Sequence, residues 1–279
     1  MKLGARAARL IPLVPLQESP LLSTQDSSAR IPVIAGNWKM FKTVAETVRF
    51  FDEFKPLVSG ASHCEIVIAP TFPALTAAVE TARGSNIAVA AQNLHWEDSG
   101  AFTGEVSGPM IAAAGCSHVI IGHSERRQYF GETDETVNRR ISAALKAGLT
   151  PIVCVGETYE QRQAEQTETV LSAQFDGGFT SLTDADFSRI IVAYEPVWAI
   201  GTGLTATPDI AEDAHRVIRS KAQERFGAEA ASRLRILYGG SVKPSNVQGL
   251  MERPEIDGAL VGGASLEAAS MAAIVNYPG

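Results

Sequence analysis

Short apolar segments recur at regular intervals along the chain from residue 31 onward. Each is a continuous run rich in Val, Ile, Leu and Ala rather than an alternation of apolar and polar positions. Continuous runs are typical of strands that are buried on both faces of a parallel sheet. Eight runs are present, and eight strands close a barrel of this kind. The predicted strands are residues 32–35, 65–69, 87–91, 118–121, 151–155, 190–194, 235–238 and 258–261.

The segments between these runs have the spacing of amphipathic helices. Thr207-Pro208-Asp209 has the order of an N-cap, a proline in the first turn and an acid, which predicts the start of a helix. Strands and helices alternate without a change in composition. The pattern therefore predicts one α/β domain over residues 31–279, a (β/α)8 barrel of eight parallel strands ringed by helices. One helical face is predicted by Val137, Ile141, Ala144 and Leu145.

Residues 1–30 differ in composition from the rest of the chain. They contain four Lys or Arg residues and no acid before Glu18, and Pro12 and Pro15 interrupt their apolar run. A basic, Ser-containing and acid-poor N-terminus is typical of a transit peptide, whereas a secretory signal would need a longer apolar run. A disordered tail, or a start codon placed too early, is the alternative. We expect an N-terminal extension that is disordered or targeting-like, and a cytoplasmic location unless it acts as a transit peptide.

Net charge and cysteine content narrow the classes of function. The formal net charge is -7, which argues against nucleic acid or an anionic membrane as a partner. The three cysteines form no C-x-x-C pair, which favours reduced thiols over a disulfide framework or a zinc site. No apolar run is long enough for a transmembrane helix. A phosphorylated substrate would need a locally positive site, which backbone N–H groups and a few lysines can supply.

The active sites of such barrels lie at the C-terminal ends of the strands, so the residues after each run are candidates. Asn37 and Lys39 follow the first run two positions apart. In an extended segment their side chains would face the same way. Burying a lysine ammonium group in the barrel mouth costs free energy unless an anion lies beside it, so an anionic ligand is expected there. The alternative is that Lys39 is a surface lysine on a loop.

A histidine and a glutamate follow two other runs. His123 comes directly before a predicted helix, whose dipole disfavours a cationic imidazole, and a neutral imidazole can donate to a carbonyl oxygen. The alternative is a cap region with solvated charges. Glu195 follows the sixth run, where we expect a half-buried carboxylate with a raised pKa that suits a general base. The alternative is an ordinary loop with a glutamate paired to an arginine.

Glycine pairs follow the last two runs. Gly239-Gly240-Ser241 and Gly262-Gly263 bring bare backbone N–H groups to two strand ends, and the loops after strands 7 and 8 are the usual phosphate site of these barrels. Glycines that simply make turns are the alternative. The other histidines lack the spacing of metal ligands, and no nucleotide motif is present. We therefore expect neither a metal nor a cofactor.

Four segments together resemble the triosephosphate isomerase family in order and spacing. They are residues 36–40, 122–127, 193–203 and 238–242. The resemblance extends from about residue 31 to residue 277. It implies a TIM barrel and an aldose–ketose isomerase that interconverts dihydroxyacetone phosphate and D-glyceraldehyde 3-phosphate through an enediol(ate), in glycolysis and gluconeogenesis, without a cofactor.

The resemblance also implies a role for each residue that matches the family's motifs. Glu195 would be the base that removes the proton next to the carbonyl group. Neutral His123 would polarise the substrate oxygens and move protons between them. Lys39 would stabilise the enediolate and help to bind the substrate, and Asn37 would contact the substrate oxygens. Glu125 would organise the charged groups of the site.

Further family features concern phosphate and the lid. Gly201, Ser241, Gly262 and Gly263 match the family's phosphate contacts. Residues 197–206 match its mobile lid, which excludes water and keeps the intermediate from losing phosphate.

Members of the family are usually dimers, which implies a homodimer here. The loop from Gln92 to Ser107 resembles the family's long third loop, which inserts into the partner, and Thr103 matches the position that reaches the partner's catalytic groups. Phe102 would add apolar contact area to the interface with the partner. The chain departs from the family at Phe41, where many members have a polar residue, and at Leu204, where many have lysine.

Two other functions are alternatives to isomerisation. A Schiff-base aldolase of the same fold would need a lysine deep in a middle strand, and residues 151–155 and 190–194 contain none. A non-catalytic descendant would have lost at least one of Lys39, His123 and Glu195, and all three are present.

Overall fold

The computed structural model describes residues 30–200 and 205–278. Its eight parallel strands close into a barrel in chain order, and the last strand pairs with the first. This confirms the predicted fold, with shifts of one or two residues at the ends of the first, fifth and sixth strands. The strands are β1 (Val33–Asn37), β2 (Glu65–Ala69), β3 (Ile87–Ala91), β4 (His118–Ile121), β5 (Thr150–Val155), β6 (Ile191–Tyr194), β7 (Arg235–Tyr238) and β8 (Gly258–Val261).

Helices surround the barrel. Thr207 caps the longest helix as predicted, because its side chain accepts a hydrogen bond from the Ile210 N–H at 3.3 Å. Gly227 interrupts that helix with φ +84. No helix in the described part of the chain is both long and apolar enough to cross a membrane. The helices are α1 (Val44–Val58), α2 (Leu75–Ala82), α3 (Gly108–Ala113), α4 (Ser124–Phe130), α5 (Asp134–Lys146), α6 (Tyr159–Gln163), α7 (Thr167–Gly178), α8 (Asp184–Phe187), α9 (Pro208–Arg233), α10 (Val247–Met251) and α11 (Ala268–Val275).

The strands separate two apolar layers. On β1, Val33 and Ala35 point into the barrel, whereas Ile34 points out toward the helices. This alternation follows from the two-residue period of an extended chain. The outer layer is the larger core, and the inner layer fills the barrel with Val33, Ala35, Val67, Ala69, Ala90, Ile120, Ile152, Cys154, Ile191, Ala193, Leu237 and Leu260.

The same alternation determines which residues reach the C-terminal mouth. After the last apolar residue that points inward, the next inward position is Asn37 on β1 and Glu195 after β6. On β7 and β8 the corresponding positions are Gly239 and Gly262. The mouth is therefore lined by polar groups and bare backbone directly above a packed apolar floor.

The opposite end of the barrel is closed by ion pairs. Glu65 lies 3.1 Å from the His118 Nε2 and 2.7 Å from a guanidinium nitrogen of Arg235. The hydrogen bond with His118 and the charge of Arg235 lower the pKa of Glu65 to about 2, although burial acts in the opposite direction. At the same end, the Arg30 Nε donates to Asp257 at 2.5 Å. The chain therefore enters the barrel on the side away from the C-terminal mouth, and residues 1–29 lie outside the described residues.

Candidate active site

A cavity of about 240 Å³ opens at the C-terminal mouth of the barrel. It brings together residues that the sequence analysis took from five different strand ends. Gly201 lies outside the described residues, as does Leu204. Glu125 and Thr103 do not line the cavity, although Glu125 is bonded to a lysine that does. The predicted site residues that line it are Asn37, Lys39, His123, Glu195, Ser241, Gly262 and Gly263.

The Glu195 carboxylate is buried and bonded at both oxygens. Its Oε1 lies 3.0 Å from the His123 Nε2, and its Oε2 accepts from the Ser124 N–H at 2.8 Å. The side chain is 2% exposed, so the predicted half-buried state was wrong. The predicted raised pKa was also wrong: burial raises the pKa of Glu195, but the imidazole and the Ser124 N–H lower it by more. The base candidate is therefore a charged carboxylate.

Glycines on the two neighbouring strands make room for Glu195. A Cβ on Gly156, just after β5, would lie 1.7 Å from the Glu195 carbonyl oxygen. A Cβ on Gly239, just after β7, would lie 2.8 Å from the Glu195 Cγ. Both distances are shorter than any normal contact, so a side chain at Gly156 would displace the Glu195 backbone and one at Gly239 would displace its side chain. The glycine after β7 is thus a steric requirement of the site as well as part of a turn.

His123 is the N-cap residue of α4. Its Nδ1 accepts a hydrogen bond from the Glu125 N–H at 3.2 Å, so this nitrogen carries no proton. The single proton of the imidazole then lies on Nε2 and points at Glu195. Burial lowers the pKa of His123, whereas the Glu195 carboxylate raises it, and the net direction is upward. The helix N-terminus fixes the tautomer, and the contact with Glu195 sets the proton affinity.

Lys39 is held against Glu125 at the rim. Its Nζ lies 2.6 Å from the Glu125 Oε1, and its backbone N–H donates to the Asn37 Oδ1 at 3.0 Å. The segment is not extended as expected, because Lys39 has φ +51. This left-handed conformation turns the lysine toward the cavity beside Asn37, so that both side chains still line it. The other oxygen of Glu125 lies 3.7 Å from the His123 Nδ1, which links the lysine and the imidazole.

Two further residues at the site were missed by the sequence analysis. Glu157 is fully buried after β5, and its Oε1 accepts hydrogen bonds from the Tyr194 hydroxyl and the Trp198 Nε1, both at 3.0 Å. It thereby ties the loop after β6 to the loop after β5. Lys243 lines the cavity near the glycine pairs. Both could have been found, since Glu157 lies two positions after a predicted strand and Lys243 lies two after Ser241.

These parts define what the cavity can do. A charged carboxylate and an imidazole with a fixed proton lie in contact, which suits proton transfer to and from a small molecule. Bare backbone at Gly262 and Gly263 on the opposite wall suits a phosphate group. Within residues 30–200 and 205–278, no group of three or more His, Cys, Asp or Glu side chains is placed to hold a metal ion. Fold and site define the class of (β/α)8-barrel isomerases that act on small phosphorylated molecules.

Comparison with known proteins identifies the family within this class. The profile of the triosephosphate isomerase family matches residues 32–278, and the chain belongs to that family. It is 63% identical to the triosephosphate isomerase of Solibacter usitatus over 248 residues, which cover 89% of this chain and all of the relative. It is 59% identical to that of Citrifermentans bemidjiense, covering 89% of this chain and 99% of the relative.

A solved structure agrees with the sequence relatives. The crystal structure of the triosephosphate isomerase from Bartonella henselae superposes with a TM-score of 0.79 at 41% identity. The match covers 88% of this chain and 97% of that one.

The packing around Glu195 predicts that Gly239→Ala impairs isomerase activity without unfolding the protein. The added Cβ would push against the Glu195 Cγ, and a displacement near 1 Å costs about 100-fold in rate. Steady-state kinetics with thermal unfolding measure both effects. Gly249→Ala is the matched control, because a Cβ there meets nothing within 4 Å. Equal kcat values for the two variants would contradict this account of the site.

Proposed function

We propose that the chain interconverts dihydroxyacetone phosphate and D-glyceraldehyde 3-phosphate by proton transfer through an enediol(ate). Membership of the family supports this reaction. The observation that carries it here is the contact between the Glu195 carboxylate and the His123 Nε2 at 3.0 Å in the cavity. The reaction needs a base for a carbon-bound proton and an acid for the adjacent oxygens, and these two side chains supply both.

Glu195 acts as the base in this proposal. To reach a carbon-bound proton, its carboxylate must exchange its hydrogen bonds with Ser124 and His123 for the substrate. It then takes the proton from one carbon and returns it to the neighbouring carbon. The negative charge that develops moves onto the carbonyl oxygen, where the Nε2–H of His123 donates and the Lys39 ammonium stabilises it. The Asn37 Oδ1 accepts from the Lys39 backbone N–H, and Asn37 lines the same cavity as Lys39.

The departure of Glu195 also changes His123. The carboxylate is what raises the pKa of the imidazole against the effect of burial. Once Glu195 turns to the substrate, the main effect that raises the pKa of His123 is lost. Burial, the Lys39 ammonium and the N-terminus of α4 then disfavour a second proton, against the smaller effect of Glu125. His123 therefore works as a neutral imidazole that moves one proton between the two substrate oxygens. Glu125 keeps the tautomer in place through its N–H.

The phosphate group binds on the opposite wall in this proposal. Ser241, Gly262 and Gly263 line the cavity there, and backbone N–H groups of such turns bind phosphate well. Gly201 matches a further phosphate contact of the family and lies outside the described residues. A fixed phosphate group positions the reacting carbons relative to Glu195. Through this positioning, the binding energy of the phosphate contributes to the rate.

The loop after β6 acts as the lid. Its first turn, Val197–Ala199, is anchored by Glu157, which accepts from the Trp198 Nε1 at 3.0 Å and, through its carbonyl oxygen, from the Val197 N–H at 3.1 Å. Ala206 at the other end is buried. The lid thus has two fixed ends, and its closure would exclude water from the enediolate.

Substitution of Glu195 tests the proposed base. Glu195→Gln cannot accept a proton, and we expect kcat to fall by about 1000-fold with a smaller change in KM. Glu195→Asp keeps the carboxylate but moves it back by one methylene, so kcat should fall less. A coupled assay of triose phosphate turnover, run in both directions, measures these values. Glu255→Gln at the opposite end of the barrel is the control, and wild-type rates in Glu195→Gln would exclude Glu195 as the base.

We also propose a homodimer through the loop from Gln92 to Ser107. His95 stacks on Trp96 and packs on Phe102, with ring centroids 4.3 Å apart in both pairs, so aromatic contacts within the loop support its conformation. Phe102 and Thr103 lie exposed at its tip. Large apolar side chains near the mouth are exposed as well, and patches of this kind mark protein interfaces. They are Met40, Phe41, Tyr129 and Phe130.

A charge on the loop tip tests the dimer. Phe102→Asp places a carboxylate where the proposed interface would bury it unpaired, so we expect the dimer to dissociate into monomers. The catalytic rate should fall when the dimer dissociates, because the loop borders the C-terminal mouth of the barrel. Analytical ultracentrifugation measures the mass. Leu57→Asp on α1 changes an equally exposed apolar residue away from the loop and should stay dimeric. A monomeric wild type, or a dimeric Phe102→Asp, would contradict the proposal.

For the ends of the chain, we propose that residues 31–279 form the catalytic unit and that residues 1–30 are an extension. The family match from residue 32 supports this division. The catalytic unit would act in the cytoplasm unless the extension directs it to an organelle.

A further inference from the structure

The Glu157 carboxylate at the base of the lid is fully buried, and only neutral groups bind it. Its Oε1 accepts from the Tyr194 hydroxyl and the Trp198 Nε1, both at 3.0 Å. Burial and the charge of Glu157 raise the pKa of Tyr194, so its hydroxyl keeps the proton that it donates. Among the described residues, the Glu157 Oε2 has no hydrogen-bond partner. A buried carboxylate in this state is costly unless a cation compensates it.

Arg162 supplies that cation. Its Nη1 lies 3.9 Å from the Glu157 Oε1, and in the described part of the chain no other cationic side chain lies within ion-pair distance of Glu157. The same guanidinium lies over the Trp198 ring, with its central carbon 5.8 Å from the ring centroid. One cation therefore acts on both partners of the anchoring hydrogen bond, on the acceptor through its charge and on the donor through the face of its ring.

The short helix α6 holds Arg162 in this position. Thr158 caps the helix, because its side chain accepts from the Gln161 N–H at 3.3 Å and its own N–H donates to the Gln161 Oε1 at 2.9 Å. The Arg162 N–H donates to the Thr158 carbonyl oxygen at 3.0 Å, and its Nη1 donates to the Thr167 Oγ1 at 3.5 Å. The loop after β5 thus presents a guanidinium to Trp198 in the loop after β6.

We propose that Arg162 is a positioning residue for the isomerase reaction, which fixes the Trp198 anchor of the lid by compensating Glu157 and covering the indole ring. This inference rests on the proposed function, because the lid serves that reaction. Arg162 does not line the active-site cavity, so it acts through the lid alone. A lid whose first turn is loosely anchored covers the enediolate for a smaller share of its lifetime and protects it less from side reactions.

The test compares Arg162→Met with Arg225→Met. Arg225 lies over the Phe226 ring at 5.3 Å, near the C-terminal end of α9, so both variants remove one charge and one cation–ring contact. For Arg162→Met we expect kcat to fall by about tenfold, as for a partly exposed ion pair combined with a ring contact. The share of turnovers that release inorganic phosphate from the enediolate should rise. That share does not depend on the amount of folded protein, so a loss of stability alone would leave it unchanged.

A double-mutant cycle with Glu157→Gln separates charge compensation from packing. Arg162→Met should do less harm in the Glu157→Gln background, because no buried charge is left there to compensate. Arg162→Lys keeps the charge and should recover part of the loss. Wild-type phosphate release in Arg162→Met would overturn the inference, as would an equal effect of Arg162→Met in both backgrounds.

Fluorine-19 NMR of protein labelled with 5-fluorotryptophan tests the anchor without turnover. The chain has three tryptophans, and Trp198→Phe assigns the resonance of interest. The Trp198 resonance should shift or broaden in Arg162→Met but not in Arg225→Met, and the resonances of Trp38 and Trp96 should not change. If it does so in a protein that does not isomerise triose phosphates, the proposed function fails and the anchoring by Arg162 stands. An unchanged Trp198 resonance in an active isomerase would overturn the inference and leave the function in place.

Discussion

The structure of the site depends on a charged carboxylate buried where the barrel opens. An unpaired carboxylate in that position would cost several kcal/mol, so the chain must supply donors. Two of these donors come from the N-terminus of α4, where His123 donates through Nε2 and Ser124 through its backbone N–H. Glycines after both flanking strands make room for Glu195, Gly156 for its backbone and Gly239 for its side chain. In the proposed reaction, Glu195 therefore leaves the donors that stabilise it at rest.

Electrostatics connect this arrangement to the acidic character of the whole chain. The negative net charge does not exclude an anion from the cavity, because Lys39, Lys243 and the glycine turns after β7 and β8 line it. The pairing of Lys39 with Glu125 places an ammonium group close to the imidazole. A Cβ on Gly262 would lie 3.7 Å from the Lys39 Cε, so Lys39 also borders the glycine turn after β8.

Much of the fold and of the site follows from local pattern. Continuous apolar runs located the eight strands, because strands buried on both faces have no polar face. Asn37 and Glu195 could be placed from their positions after strands, and the two-residue period explains why both point into the mouth. The pKa direction of Glu195 could not be predicted, because it depends on donors from α4, far away in the chain. The left-handed backbone at Lys39 and the anchoring role of Glu157 also arise only from tertiary contacts.

The central claim is that His123 carries one proton, on Nε2, while a carboxylate acts as the base. Nitrogen-15 NMR of the labelled imidazole, with an enediolate analogue bound at neutral pH, tests it most directly. The account predicts one protonated nitrogen, assigned to Nε2, and one unprotonated nitrogen that accepts from the Glu125 N–H. Protons on both ring nitrogens would mean an imidazolium and would contradict the account.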